Sequence, residues 1–159
     1  MSVKPGKPAK PGAAQLARYA EHFNRSESLR YFGVTIAFPD GEVCRCVVDP
    51  VLPAHRGGLG TDAVTGGGLA AIFDLALGAS AALVDPTRKS ATIQLSMSFM
   101  RPVVGTRFRV DAVVDRAGKR SLFTSATLYD EKDVPCARAQ GVLQLGDGTW
   151  PGGDSPAVN

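Results

Sequence analysis

The 159-residue sequence predicts an α+β domain, with about six antiparallel strands wrapped around one central apolar helix and a further helix at the N-terminus. Three observations carry that expectation. The stretch "TGGGLAAIFDLALGASAALV" (65–84) is long, small and apolar, and holds one ionisable side chain, Asp74. Four stretches in the second half alternate apolar and polar residues, the period of half-buried strands. Two short runs before the apolar stretch flank Pro39-Asp40-Gly41, a hairpin signal.

The elements follow in order. "AAQLARYAEHFNRSES" has helical spacing, with Leu16, Tyr19 and Phe23 near one face. "YFGVTIAFPDGEVCRCVVDP" reads as the hairpin. A Gly- and Pro-rich loop over 50–64 leads into the apolar helix, which Asp85-Pro86 ends. In "ATIQLSMSF", Ile93, Leu95, Met97 and Phe99 alternate with Thr92, Gln94, Ser96 and Ser98. "TRFRVDAVVDR", "SLFTSATLYD" and "VPCARAQGVLQL" repeat the alternation, and turns at 102–105, 117–119 and 130–133 imply a meander of consecutive neighbours. The expected organisation is a disordered basic leader at 1–12, a domain at 13–146 and a flexible tail at 147–159.

Charge narrows the partners. Lys4, Lys7 and Lys10 equal the formal net charge of +3, so the rest of the chain is neutral and lacks the basic stripe of a nucleic-acid protein. Three cysteines, an odd count with no secretory signal, fit a reducing cytoplasmic setting. Cys44 and Cys46 share one strand face, where small buried residues explain them better than half a metal site, and no metal is expected. At about 20 residues, stretch 65–84 is long enough to cross a bilayer. Its Gly and Ala content and the central Asp74 argue instead for a helix covered by protein on nearly every side, and no membrane partner is expected.

A carboxylate on such a helix has two explanations. It is either satisfied by backbone or hydroxyl partners, or kept for chemistry, because burying an unpaired acid is costly. An acid among apolar residues should have a raised pKa, which suits a general base. Glycines at the helix start leave N–H groups unpaired and allow close approach to the backbone. Gly66 and Asp74 lie about 12 Å apart along the helix axis, so one helix cannot bring both to one carbonyl.

"TGGGLAAIFDLALG", "ATIQLSMSFMRPVVG" and "VVDRAGKRSLFTSATLYDEKDVPCARAQG" together resemble the hotdog-fold acyl-CoA thioesterases, in the group that includes the phenylacetate-pathway enzymes. The resemblance covers about residues 30–145 and implies a hotdog fold. It places Asp74 on the catalytic carboxylate, general base or nucleophile, and Gly66, with Gly67 beside it, on the amide that polarises the thioester carbonyl. Thr92 falls where some members place a water-orienting hydroxyl from the partner subunit. Two positions depart from the pattern: Thr65 replaces the usual His, and the upstream loop is about two residues longer, with Gly57 nearest an expected Asn. For a coenzyme A substrate, the resemblance points to the hairpin residues Arg116, Lys119, Arg120 and Ser121, with Thr65, Arg101 and Arg138 as further candidates. The implied protein is an acyl-CoA hydrolase needing no cofactor, since CoA is part of the substrate, and acting as a homodimer or dimer of dimers. Hydrations on the same fold use a loop histidine, for which His55 is the candidate. A non-catalytic acyl-CoA-binding protein is the other alternative. Asp62 is a rival loop carboxylate, and Leu69, Ile72 and Phe73 belong to the core with part free to line an acyl tunnel.

Overall fold

A computed structural model describes residues 9–57 and 61–151. The N-terminal helix α1 (Ala13–Asn24) buries Leu16 and Tyr19. It is followed by a short helix not expected from the sequence, α2 (Glu27–Tyr31), whose N-cap Ser26 accepts the Leu29 N–H at 3.4 Å. Strands β1 (Val34–Ala37) and β2 (Cys44–Val48) form the anticipated hairpin. The central helix α3 (Gly66–Ser80) continues into a 3-10 turn at Ala81–Leu83. Strands β3 (Arg88–Phe99), β4 (Phe108–Ala117), β5 (Ser121–Asp130) and β6 (Pro135–Thr149) complete the sheet.

The six strands are ordered β1-β2-β4-β5-β6-β3, all antiparallel. β3 and β4 are therefore not the expected neighbours. Their connection crosses the end of the sheet, held by Met100 and Arg101 N–H groups on the Cys136 carbonyl and by buried Val103. This places the long strand β3 at an edge, beside β6. The other edge, β1, is partly covered: Asn24 both donates to and accepts from the Ile36 backbone, at 2.9 and 2.7 Å. Among the described residues β3 has no neighbour on its outer side.

Phe73, Ile72 and Leu77 of α3 pack on the inner sheet face, against residues such as Val110, Leu128 and Leu143. Cys44 and Cys46 are fully buried there, so their spacing reflects core packing, and no candidate metal cluster occurs among the described residues. Gly141 on β6 lets the helix approach: a Cβ there would stand 3.0 Å from the Leu77 Cδ1.

At both ends the structure describes part of what the sequence assigns to the leader and the tail. Of the proposed leader, residues 1–8 lie outside the described residues, while Lys10 meets Glu42 and Gly12 begins α1. Of the proposed tail, Asp147–Thr149 continue β6 and Trp150 is buried, its Nε1 donating to the Pro86 carbonyl. Residues 152–159 lie outside the described residues. A single aromatic anchor thus carries order past a Gly-rich segment that reads as loose.

Candidate active site

The loop before α3 builds the site from its glycine end. His55 closes a 3-10 turn and is buried. Its Nδ1 accepts the Leu52 N–H at 3.0 Å, and its Nε2 lies 2.8 Å from the Phe32 carbonyl. A carbonyl can only accept, so Nε2 carries the proton and the ring is neutral. The His55 carbonyl accepts the Thr65 N–H at 2.8 Å, which fixes the start of the helix. Arg56 ties the same loop to the Asp62 and Gly105 carbonyls, both at 2.7 Å.

Thr65, where the resemblance led us to expect His, is the N-cap of α3. Its hydroxyl accepts the Gly68 N–H at 2.9 Å. Gly66 and Gly67 follow, both exposed, with no carbonyl assigned to their N–H groups within the helix. A Cβ on Gly66 would touch only the Phe99 ring, at 3.8 Å, so the end of β3 lies beside these amides.

Asp74 is exposed, contrary to the expectation of a buried acid. Gly67, Ala71, Asp74 and Gly78 recur at helical spacing on the side of α3 away from the sheet. Small residues make the sequence look apolar all round, although the sheet covers one side alone. Among the described residues, no hydrogen bond or ion pair engages the Asp74 carboxylate. Asp74 lines a cavity of about 490 Å³ together with Thr92, Ser90, Gly78 and, on the opposite wall, Tyr19 and Trp150.

Thr92 reaches this cavity through an irregularity that simple alternation missed. The β3–β6 register shifts between Thr92 and Gln94, so Thr92 pairs with buried Leu143 while Leu95 pairs with inward Gly141. Thr92 therefore shares the helix-facing side with Leu95 and Met97, and Ile93 is left outside, 59% exposed. Thr92 and Asp74 of one chain line the same cavity.

The remaining candidates divide. Arg116 and Lys119 line a second cavity of about 710 Å³, bordered by Asp85 and Arg88. Arg120 is paired with Asp147, and the Ser121 carbonyl accepts the Gly118 N–H, closing the turn. Arg101 lies at the opposite end of β3, near the Gly66 end of the helix, and is not brought to the hairpin cations. Arg138 pairs with Ser98 in register and with Thr127 across β5, on the outer sheet face.

The thioesterase-superfamily model matches residues 62–137, from the loop through α3 to β6. Over those residues this chain is similar to the thioesterase superfamily, and its fold is the hotdog fold. The Escherichia coli PaaI protein from the phenylacetic acid degradation operon superposes on this chain with a TM-score of 0.76 at 16% identity, covering 86% of this chain and 97% of that one. A conserved protein from Pseudomonas aeruginosa gives 0.68 at 24% identity, covering 86% and 100%. A Haemophilus influenzae thioesterase gives 0.70 at 13%, covering 79% and 86%. These likenesses speak for the hotdog fold. No curated protein matches the sequence. The match to the superfamily model supports acyl-thioester hydrolysis as the general chemistry.

Proposed function

We propose that the protein hydrolyses acyl-CoA thioesters to free acid and CoA, at a site shared by two copies. The observation that carries this reading is the layout of α3. Its open glycine amides and its unpaired carboxylate share one exposed stripe, about 12 Å apart, too far to serve one carbonyl from a single helix. Pairing the free edge of β3 with itself across a two-fold axis resolves the separation. An antiparallel register centred between Leu95 and Ser96 sets Thr92 opposite the partner's Phe99. Because Gly66 adjoins Phe99 in its own chain, each Asp74–Thr92 cavity then faces the partner's glycine amides. The copies form a dimer, or a dimer of dimers.

In this arrangement the Gly66 amide, at the positive end of the helix, stabilises the oxyanion, with Gly67 beside it. Asp74 removes a proton from water or attacks the carbonyl itself, and Thr92 orients the attacking water. Arg116 and Lys119, near the Asp74 end of the sheet, receive the CoA phosphates, and the partner's Arg101 approaches from the other side of the pairing. No further cofactor is required. His55 does not fit the hydration chemistry, because both ring nitrogens are held by backbone groups.

The test is thiol release from short, medium, long and aromatic acyl-CoAs by the purified protein and its Asp74→Asn variant. We expect turnover by the native chain and a loss of about 100-fold or more in the variant, the range of a positioned acid–base group. Binding without turnover across the panel would reject the enzyme in favour of an acyl-CoA-binding protein. Unchanged kcat in the variant would reject the assigned mechanism.

A further inference from the structure

The cavity around Asp74 has two unlike sides. Asp74, Ser90 and Thr92 come from α3 and β3, inside the segment that matches the superfamily. Aromatic and apolar lining is supplied from outside that segment, by Tyr19 and Phe23 of α1, Leu29 of α2, and Trp150 beyond β6, with His22 and Ser28 beside them. Trp150 is held from several directions. Its Nε1 donates to the Pro86 carbonyl at 2.5 Å, and its ring centroid lies 4.4 Å from His22, 5.6 Å from Phe23 and 5.9 Å from Tyr19. An indole fixed in this way forms a stiff wall, able to exclude bulk. Burial, with the Cys44 and Cys46 thiols beside it, pushes the Tyr19 phenol upward, so it stays uncharged at neutral pH. Arg88 and Lys89 also line the cavity, and the Arg88 guanidinium donates to the Gly146 and Leu145 carbonyls, at 2.8 and 3.2 Å.

We propose that this aromatic wall receives the acyl group and that Trp150 limits its size, so the protein selects compact acyl chains over long ones. The inference rests on the acyl-CoA reading above. Apolar carbons gain by leaving water against such a wall. The termini of the chain then tune specificity while the α3–β3 segment keeps the chemistry.

Trp150 is the chain's one tryptophan, so its emission reports on this wall. The thioether S-hexyl-CoA, which cannot be hydrolysed, should shift the emission of the native protein to a saturating value, and CoA alone should not. Thiol release should favour hexanoyl-CoA over palmitoyl-CoA. Trp150→Ala should move the palmitoyl-to-hexanoyl ratio of kcat/KM by about tenfold or more toward palmitoyl, a pocket-size effect, with Trp150→Phe staying near the native ratio. Turnover with an unmoved ratio in folded Trp150→Ala, or equal emission changes with S-hexyl-CoA and CoA, would overturn the acyl wall and leave the hydrolase intact. No thiol release from any thioester would instead overturn the hydrolase reading, with the emission titration still deciding whether the wall binds an acyl chain.

Discussion

Replacing Gly141 by alanine tests how closely α3 must lie on the sheet. A Cβ at this position would meet the Leu77 Cδ1 at 3.0 Å, the Gln94 carbonyl oxygen at 3.1 Å and the Thr124 hydroxyl at 3.4 Å. Leu77 can rotate, but Gln94 contributes backbone of β3 and the Thr124 hydroxyl is tied to the Gly141 carbonyl at 3.0 Å. Two of the three neighbours therefore resist, and strand β3 must move outward beside Thr92. Overpacking of this kind costs about 1–3 kcal/mol. Removing a strand glycine returns about 0.5–1 kcal/mol, leaving at the midpoints about 1 kcal/mol of net destabilisation. For a domain of this size that lowers Tm by about 2–4 °C. Thermal melts by circular dichroism measure it, with Gly78→Ala as the comparison. Nothing lies within 4 Å of a Cβ at Gly78, so that variant should gain stability through helix propensity. A Gly141→Ala protein melting at or above the native temperature would refute the claim of close helix–sheet contact.

Thr65→Ala removes the hydroxyl cap on the Gly68 N–H and should cost about 1 kcal/mol, read as a fall of about 2–4 °C in Tm. His55→Ala leaves the Leu52 N–H and the Phe32 carbonyl without their ring partner and should lower Tm clearly. Assayed at a temperature where it is folded, this variant should keep thioester hydrolysis. A kcat loss of about 100-fold or more there would give His55 a chemical role. Burial raises the Asp111 carboxyl, but hydrogen bonds and charge from Arg45 and Arg109 outweigh it and hold the group below the usual carboxylate range. That contribution is complete above the unfolded carboxylate pKa and is lost as pH falls through the folded one. Asp111→Asn should therefore flatten the acid limb of a stability–pH curve measured with denaturant, and an unaltered limb would contradict the assignment.

Periodicity disclosed the helices and strands because burial on one face imposes a repeat on the residues that supply it. The β1–β2 hairpin and the α3 core face, Leu69, Ile72 and Phe73, were legible for that reason. Strand order was not, because side-chain alternation records which face is covered and says nothing of which edge is paired. The exposure of Asp74 was hidden by its neighbours: Ala71 and Gly78 are apolar yet small enough to remain uncovered without large penalty. Thr65 read as a defect against the family pattern, whereas the helix uses it as an N-cap. The cation cluster read from sequence divides in space, since Arg120 is engaged by Asp147 and Arg101 stands at the far end of β3.

The register shift beside Thr92 splits one strand into two addresses. On its first half, even-numbered positions such as Ser90 and Thr92 open onto the cavity; on its second half, odd-numbered positions such as Leu95 and Met97 serve the core. Substitutions can therefore accumulate in the lining of the cavity without disturbing the packing farther along the same strand. Deleting Ile93, the one residue that sets the two halves out of phase, would remove that independence, and with it the means of changing substrate without rebuilding the fold.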